Sequence, residues 1–271
     1  VRGRPGLAGA RALGAVSLPE SPRWRCDRDC DAEALQVLMD LDGDAKAHHT
    51  RAHLEYSEIK SSVLQMRAQG DRSYRTMWRT LRYRTLIGMS SQMLAQLNGI
   101  NVISYYAPLV FESAGWVGRE ALLMTGVNAG MYVLATIPTW ILVDTWGRRP
   151  ILRSGARLGA QALGACGLLL RAQQPYTPAL VVVCVVLFNA AFGYSWGSIA
   201  WAWAPEIMPL AVRAKGASLA AATNWVWNWI VGQLTPVLQE RIGWRLYMLH
   251  AGFCVASFVL VYFLYPETQG V

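Results

Sequence analysis

The stretch "AQLNGINVISYYAP", residues 95–108, lies inside a long apolar run yet carries Gln96, Asn98 and Asn101 around Gly99. A buried side-chain amide without a partner costs roughly 2 kcal/mol or more in an apolar medium. Amides at such positions must therefore face other protein groups or a water-filled path. Gln92 and Gln96 are four residues apart and share one helix face. At about 100° per residue, Asn101 would point about 140° away from Gln96 on a straight helix. Either the two amides serve different neighbours, or the helix opens near Gly99. Helices broken at mid-membrane commonly form transport sites; the alternative is that such amides tie neighbouring helices together.

The surrounding composition supports a membrane reading. Of 271 residues, 54% are hydrophobic and 15% charged, against about 25% charged in soluble domains. Mean hydropathy is +0.24 and there are 12 tryptophans. Apolar spans near the ~20 residues needed to cross a bilayer fall at roughly 85–111, 121–143, 150–170, 178–204, 215–237 and 245–265. The third carries Arg153 and Arg157 in its first turns, where both can snorkel to an interface. Its Gly155, Gly159, Gly164 and Gly167 would allow close helix contact.

The formal net charge of +8 is not a nucleic-acid signal. The arginines gather before the first span and in short loops, as expected of cytoplasmic loops. Arg148, Arg149 and Arg153 follow span two, and Arg213 and Lys215 follow span four; the opposite loops hold Arg119, Arg171, Arg241 and Arg245. This asymmetry places both ends of the chain in the cytoplasm. The opening residues 1–18 show no periodicity and no uninterrupted apolar core of a signal peptide. With Val1 first, the chain reads as a fragment. Residues 19–84 form a polar cytoplasmic segment, in which "DAEALQVLMDL" and "HLEYSEIKSSVLQM" have helical spacing. Residues 85–265 are the transmembrane bundle and 266–271 a cytoplasmic tail.

Further polar groups lie in the later spans. In "TNWVWNWIVG", Asn224 and Asn228 share one face, with Trp225 and Trp229 on the adjoining one. Amides bond hydroxyls and an indole packs against the C–H face of a sugar, so the set suits a neutral polyol. In "FGYSWGSIAWAWAPEIMPL", Gly193 and Gly197 allow close approach, and Trp196, Trp201 and Trp203 are candidates for a path wall. In the loops, Asp144, Arg148 and Arg149 together with Glu206 and Arg213 could pair across helix ends and latch one conformation.

Other signals are weak. Cys26 and Cys30 read as reduced thiols. "DLDGD" at 40–44 lacks the order of a calcium loop, and His48, His49 and His53 read as solvated. No catalytic constellation or phosphate loop is present, so an enzyme is not expected.

In combination, "PESPRW" (19–24), "QLNGIN" (96–101), "DTWGRR" (144–149), "PEIMPLAVRAKG" (205–216), "NWVWN" (224–228) and "PETQG" (266–270) resemble the sugar porter family of the major facilitator superfamily, in wording closest to filamentous-fungal members. The resemblance covers residues 19–270. It implies an all-α, polytopic fold of twelve helices in two halves, of which this chain is the six-helix C-terminal half, and a plasma-membrane location. The N-terminal half would be the missing partner, beside a small sugar and the lipid bilayer. By position, Gln96 and Asn101, Asn224 and Asn228, and Trp201 match the family's sugar-contacting residues. Three polar family positions are changed: Ala95 stands for a second glutamine, Tyr132 for an asparagine, with Asn128 one turn earlier as its candidate substitute, and Gly193 for a polar or acidic residue; Ser198 and Ala200 stand where the family has prolines. The resemblance also implies a cytoplasmic latch of Arg148, Arg149, Glu206 and Arg213. No cofactor or metal is implied. Uniport and proton symport stay open, because the acid that couples protons in the family lies in the other half. The alternatives to a carrier are a sugar-sensing receptor of this fold and a truncated product without transport.

Overall fold

A computed structural model of the chain describes residues 19–42, 46–68, 70–113, 115–116 and 118–270. The described residues are predominantly helical, with no strand among them. It divides into two compact units, 1–72 and 73–271.

In the first unit, α1 (Pro22–Asp27) starts on Ser21, whose Oγ accepts from the Trp24 N–H, with Pro22 at the position where a missing N–H does no harm. Helices α2 (Asp31–Asp42) and α3 (Lys46–Ala68) realise the two periodic segments. They close on α1 around buried Cys26, Ala34, Leu38, Ala52 and Val63. Lys60 reaches Asp31 at 2.7 Å, and Arg67 reaches Asp29 at 2.9 Å and Asp27 at 3.3 Å. Cys26 and Cys30 are free thiols. Residues 43–45 of the "DLDGD" neighbourhood and the side chains of His48 and His49 lie outside the described residues.

The second unit begins with α4 (Tyr74–Thr80), capped by Ser73, and continues into α5 (Arg82–Leu97), α6 (Ile100–Tyr105) and α7 (Ala107–Ser113). These three short helices occupy the predicted first span. The run does not continue as one helix, because Gly99 sits at φ +97°, a left-handed conformation that glycine adopts without steric cost. Then come α8 (Arg119–Thr145) and α9 (Arg148–Ala172). The predicted fourth span is also divided, into α10 (Thr177–Tyr194) and α11 (Trp196–Glu206). Two long helices, α12 (Arg213–Ile242) and α13 (Arg245–Leu264), complete the unit.

Among the described residues, three segments are long and apolar enough to cross a membrane on those criteria alone: Arg119–Thr145, Thr177–Glu206 and Arg245–Leu264. The other three predicted spans contain more polar positions. The core is built where α9 packs on α10 and α13, and where α5 packs on α12 and α11. Ile151, Leu152, Phe188, Trp196, Ile199, Trp203 and Tyr247 fill it. Glycines set several of these approaches. A Cβ on Gly155 would fall 1.8 Å from Ser195 Oγ, on Gly159 3.4 Å from Cys254 Sγ, and on Gly167 3.1 Å from Met248 Sδ. Gly164, expected to join them, has open space beside it. The outward surface is apolar: Leu122, Val133, Trp140 and Ile141 of α8 are all more than half exposed. Such a surface is unsuited to water and suited to hydrocarbon.

Candidate functional site

The break between α5 and α6 resolves the question posed by the amides. Because the helix opens at Asn98–Gly99, Asn101 is no longer held 140° from Gln96. Its Nδ2 donates to Gln96 Oε1. Both side chains are buried, at 7% and 5% exposure. Among the described residues this is the one hydrogen bond that either side chain makes. Gln96 Nε2 and Asn101 Oδ1 thus remain open to a further partner.

The break is held from α13. His250 Nδ1 lies 2.7 Å from Leu97 O, a carbonyl that the interrupted helix leaves without its usual N–H. Ser257 Oγ donates to Asn98 Oδ1 at 2.7 Å. Cys254 Sγ lies 3.7 Å from Asn98 O. A Cβ at position 99 would fall 2.9 Å from the His250 ring, so glycine is required there both for its backbone angle and for room. Asn98 therefore serves helix fastening, with its Nδ2 left unpartnered among the described residues.

One turn before Gln96, Gln92 Nε2 donates to Ala200 O at 3.0 Å, while its Oε1 accepts from Asn224 Nδ2 at 2.7 Å. Gln92 thus joins α5 to α11 and α12. Asn228, half-buried one turn along α12, meets the hydroxyl of Tyr105, with its Nδ2 at 3.2 Å and its Oδ1 at 3.4 Å. Four of the six sequence-derived ligand positions, Gln96, Asn101, Asn224 and Asn228, accordingly lie on two facing elements, α5–α6 and α12. Trp225 and Trp229 are turned outward at 63% and 66% exposure.

The other positions lie elsewhere. Asn128 is buried between α8 and α10, where its backbone carbonyl accepts from Asn189 Nδ2 at 3.1 Å; among the described residues it forms no hydrogen bond with the amides on α5, α6 or α12. Tyr132, one turn on, rests on the two glycines of the α10–α11 junction. A Cβ on Gly197 would fall 2.4 Å from its hydroxyl, and one on Gly193 3.0 Å from its carbonyl. Trp201 is turned outward, 47% exposed. Trp196 and Trp203, expected as path-wall candidates, are instead core residues. Their indole N–H groups donate to Leu152 O at 3.0 Å and Pro266 O at 3.2 Å, and Trp203 stacks on Tyr265 at 4.5 Å.

The charged loops form a second constellation. Arg148 meets Glu206 through two hydrogen bonds of 3.2 Å, and Asp144 Oδ1 and Val143 O accept from its Nη1 at 3.3 and 2.9 Å. Burial opposes the arginine's charge, but its hydrogen bonds and charge pairing with Glu206 and Asp144 hold its pKa above the ordinary value. Arg149 takes no part in that pair: its side chain caps α13 at Val261 O (3.2 Å) and Tyr262 O. Arg213 lines the same cavity of about 530 Å³ as Asp144, Arg148 and Glu206, but its Nε is directed to Met208 O at 3.5 Å.

The tail residues complete the cluster. Glu267 accepts the backbone N–H of Arg148 at 2.9 Å and of Arg149 at 3.1 Å, capping the start of α9. Thr268 Oγ1 donates to Glu206 at 2.6 Å and Gln269 Nε2 to Asp144 O at 2.6 Å. Glu267, Thr268 and Gln269 were legible only as a motif, and Gln92 only as a helical neighbour of Gln96. Their distant partners are 62 to 132 residues away in sequence, so no local signal could assign them. His250 and Ser257 were missed altogether; a histidine inside an apolar span was the available signal.

Fold and site together define a helical, polytopic membrane bundle with an interrupted, amide-bearing helix at its polar centre. Residues 6–271 match the family described as "Sugar (and other) transporter", and the chain belongs to that family, within the major facilitator superfamily. It is 33% identical to an MFS glucose transporter, mfs1, of Aspergillus flavus, with 95% of this chain and 52% of the relative covered. It is 29% identical to a high-affinity glucose transporter of Kluyveromyces lactis over 95% of this chain and 51% of that one. A solved structure of the proton:xylose symporter XylE bound to 6-bromo-6-deoxy-D-glucose superposes with a TM-score of 0.76 at 28% identity, covering 95% of this chain and 54% of that one. A structure of XylE from E. coli in a partially occluded inward-open conformation gives 0.76 at 26% identity, covering 96% and 52%. The chain thus spans about half the length of the relatives it matches, as a half of the twelve-helix fold would.

Proposed function

We propose that this chain forms the sugar-binding, C-terminal half of an alternating-access carrier for a monosaccharide. The observation that carries the reading is the Gln96–Asn101 pair. Two buried amides are brought together by a helix break, and each retains an unused hydrogen-bonding atom. One offers N–H and the other a carbonyl oxygen, the combination that a sugar hydroxyl uses as acceptor and donor at once. Asn228 adds a third amide from the facing helix. Gln92 and Asn224 use their amides on one another and on Ala200, which supports a role in setting the distance between α5 and α12 as much as in direct contact. Trp225 and Trp229, exposed next to Asn224 and Asn228 on α12, offer flat faces for the sugar's C–H surface, and Trp201, exposed on α11, is a more distant candidate. Asn128 remains a more distant candidate on α8.

In this reading the sugar binds at mid-membrane against a second six-helix half, and its binding lowers the barrier to rocking one half past the other. The Arg148–Glu206–Asp144 cluster, with Arg149 and Arg213 beside it, latches the cytoplasmic end. The chain lies in the plasma membrane with both ends cytoplasmic, and protons are a candidate co-substrate.

The test is radiolabelled glucose and xylose uptake in a transporter-deficient yeast, comparing this chain with a version joined to an N-terminal six-helix half of a family member. Uptake by the joined form is expected. Gln96→Leu in that form should weaken sugar affinity by about tenfold or more, since each lost hydrogen bond leaves a polar group unpaired. Unchanged affinity in Gln96→Leu and Asn101→Leu would show that the amides only fasten helices. Absence of uptake with retained sugar binding would favour a sensor.

A further inference from the structure

The seam between α9 and α13 carries a polar feature that the carrier reading does not use. Arg149, Arg153, Arg157 and Gln161 recur at every fourth residue of α9, an inclined ridge on one side of the helix. Alongside it on α13, Phe258 and Tyr262 stack at 6.4 Å between ring centroids. Arg149 is satisfied by the carbonyls at the end of α13. The next arginine differs: Arg153 has its guanidinium carbon 5.7 Å from the centre of the Tyr262 ring and forms no ion pair among the described residues. Arg157 is exposed, and forms neither an ion pair nor a hydrogen bond among the described residues. With Gln161, Ala160, Val255 and Phe258 it lines a cavity of about 310 Å³ that is otherwise apolar.

At ~1.5 Å per residue, Arg153 lies about 7 Å and Arg157 about 14 Å along α9 from Arg148. Both positions fall within the span expected from the sequence at 150–170, near its Gly147 end. A charge at that depth, facing hydrocarbon, needs either a path to the interface or a counter-ion within the membrane. No carboxylate supplies one here among the described residues. The seam does offer what a phospholipid has to match: a guanidinium fork shaped for a phosphate's oxygens and, next to it, an apolar recess deeper in the bilayer.

We infer that the α9–α13 seam binds one anionic phospholipid from the leaflet at the Gly147 end, its phosphate held by Arg153 and Arg157 and an acyl chain seated against Ala160, Val255 and Phe258. A zwitterionic headgroup presents the same phosphate but brings its own cation, so two uncompensated guanidiniums select for net negative charge. The site lies on helices that carry none of the proposed sugar-contacting amides, so it is tested independently of whether the chain moves sugar.

The full chain purified in detergent tests this by native mass spectrometry, titrated separately with dioleoyl-phosphatidylserine and dioleoyl-phosphatidylcholine. Retention of the serine lipid should occur at roughly tenfold lower concentration. R153Q/R157Q should bring the serine lipid down to the level of the choline lipid, while R153K/R157K, which keeps the charge, should retain most of the preference and control for folding. Equal retention of the two lipids by the parent chain, or an unchanged preference in R153Q/R157Q, overturns the assignment. Displacement of the bound lipid by a large excess of inorganic phosphate also overturns it, because the acyl recess would then contribute nothing. A dimer that R157Q dissolves would assign the seam to a second copy instead.

Discussion

Two apolar segments of this chain are interrupted, and they are interrupted for different purposes. Between α5 and α6 the break lies at Asn98–Gly99, where a positive φ turns the chain and brings Gln96 and Asn101 together. Between α10 and α11 it lies at Ser195, which has no positive φ and exposes no amide pair. Both breaks free backbone carbonyls, and both are repaired by side chains. At the first, His250 takes Leu97 O and Ser257 secures Asn98. At the second, Ser195 Oγ donates to Ala191 O at 2.5 Å, Thr139 Oγ1 to Tyr194 O at 2.7 Å and Ser198 Oγ to Gly193 O at 3.1 Å. The first break builds a polar site. The second fits helices together, seating Ser195 on Gly155 and Tyr132 on Gly193 and Gly197.

Substitution can break this contrast, and the largest effect belongs to the packing junction. Gly155→Val would place a branched side chain where a single Cβ already falls 1.8 Å from Ser195 Oγ. Separation of α9 from α11 and failure to recover a monodisperse bundle in detergent are expected, read by size exclusion and thermal unfolding. Gly99→Ala comes next. It combines about 1–2 kcal/mol for a left-handed backbone with about 1–3 kcal/mol for the overlap with His250. The unfolding midpoint should fall, and in the joined carrier sugar affinity should fall beyond what the stability loss accounts for. If Gly155→Val and Gly99→Ala damaged stability and binding in the same proportion, the distinction between the two breaks would not stand.

Smaller changes sharpen it. His250→Leu removes the partner of Leu97 O but keeps a side chain against Gly99, and should cost about 1–3 kcal/mol of stability. Faster hydrogen exchange at Asn98–Asn101 with little change around Ser195 is the expected signature. Glu267→Gln is the mildest. It keeps one acceptor for the N–H groups at the start of α9 and loses the negative charge there, worth about 0.3–1 kcal/mol. Exchange should rise at Arg148, Arg149, Thr268 and Gln269, whose N–H groups Glu267 accepts.

The legibility of these features follows from how local each one is. The apolar runs, the arginine bias and the glycine among amides are local, and they sufficed to anticipate a polytopic helical bundle and a possible opening near Gly99. The cytoplasmic motifs were legible as charge, but their pairing was not: Arg148 meets Glu206, whereas Arg149 turns to α13 and Arg213 to Met208. Tryptophans were the least legible. Trp196, Trp201 and Trp203 stand in one short stretch, yet two are core residues and one faces outward: Trp196 and Trp203, seven residues apart, share the face of α11 that packing buries, and Trp201 lies on another.

By itself, the sequence determined that the chain is helical and membrane-embedded, which residues bear amides, and which ends carry positive charge. These follow from hydropathy and periodicity, and both are properties of neighbouring residues. Only the tertiary structure decided which amides are consumed in fastening and which retain open atoms. Gln92 finds Asn224 across 132 residues and Asn98 finds Ser257 across 159. Hydrogen bonds form between groups that packing brings within about 3 Å, and spacing along the chain does not specify that distance once a helix has broken.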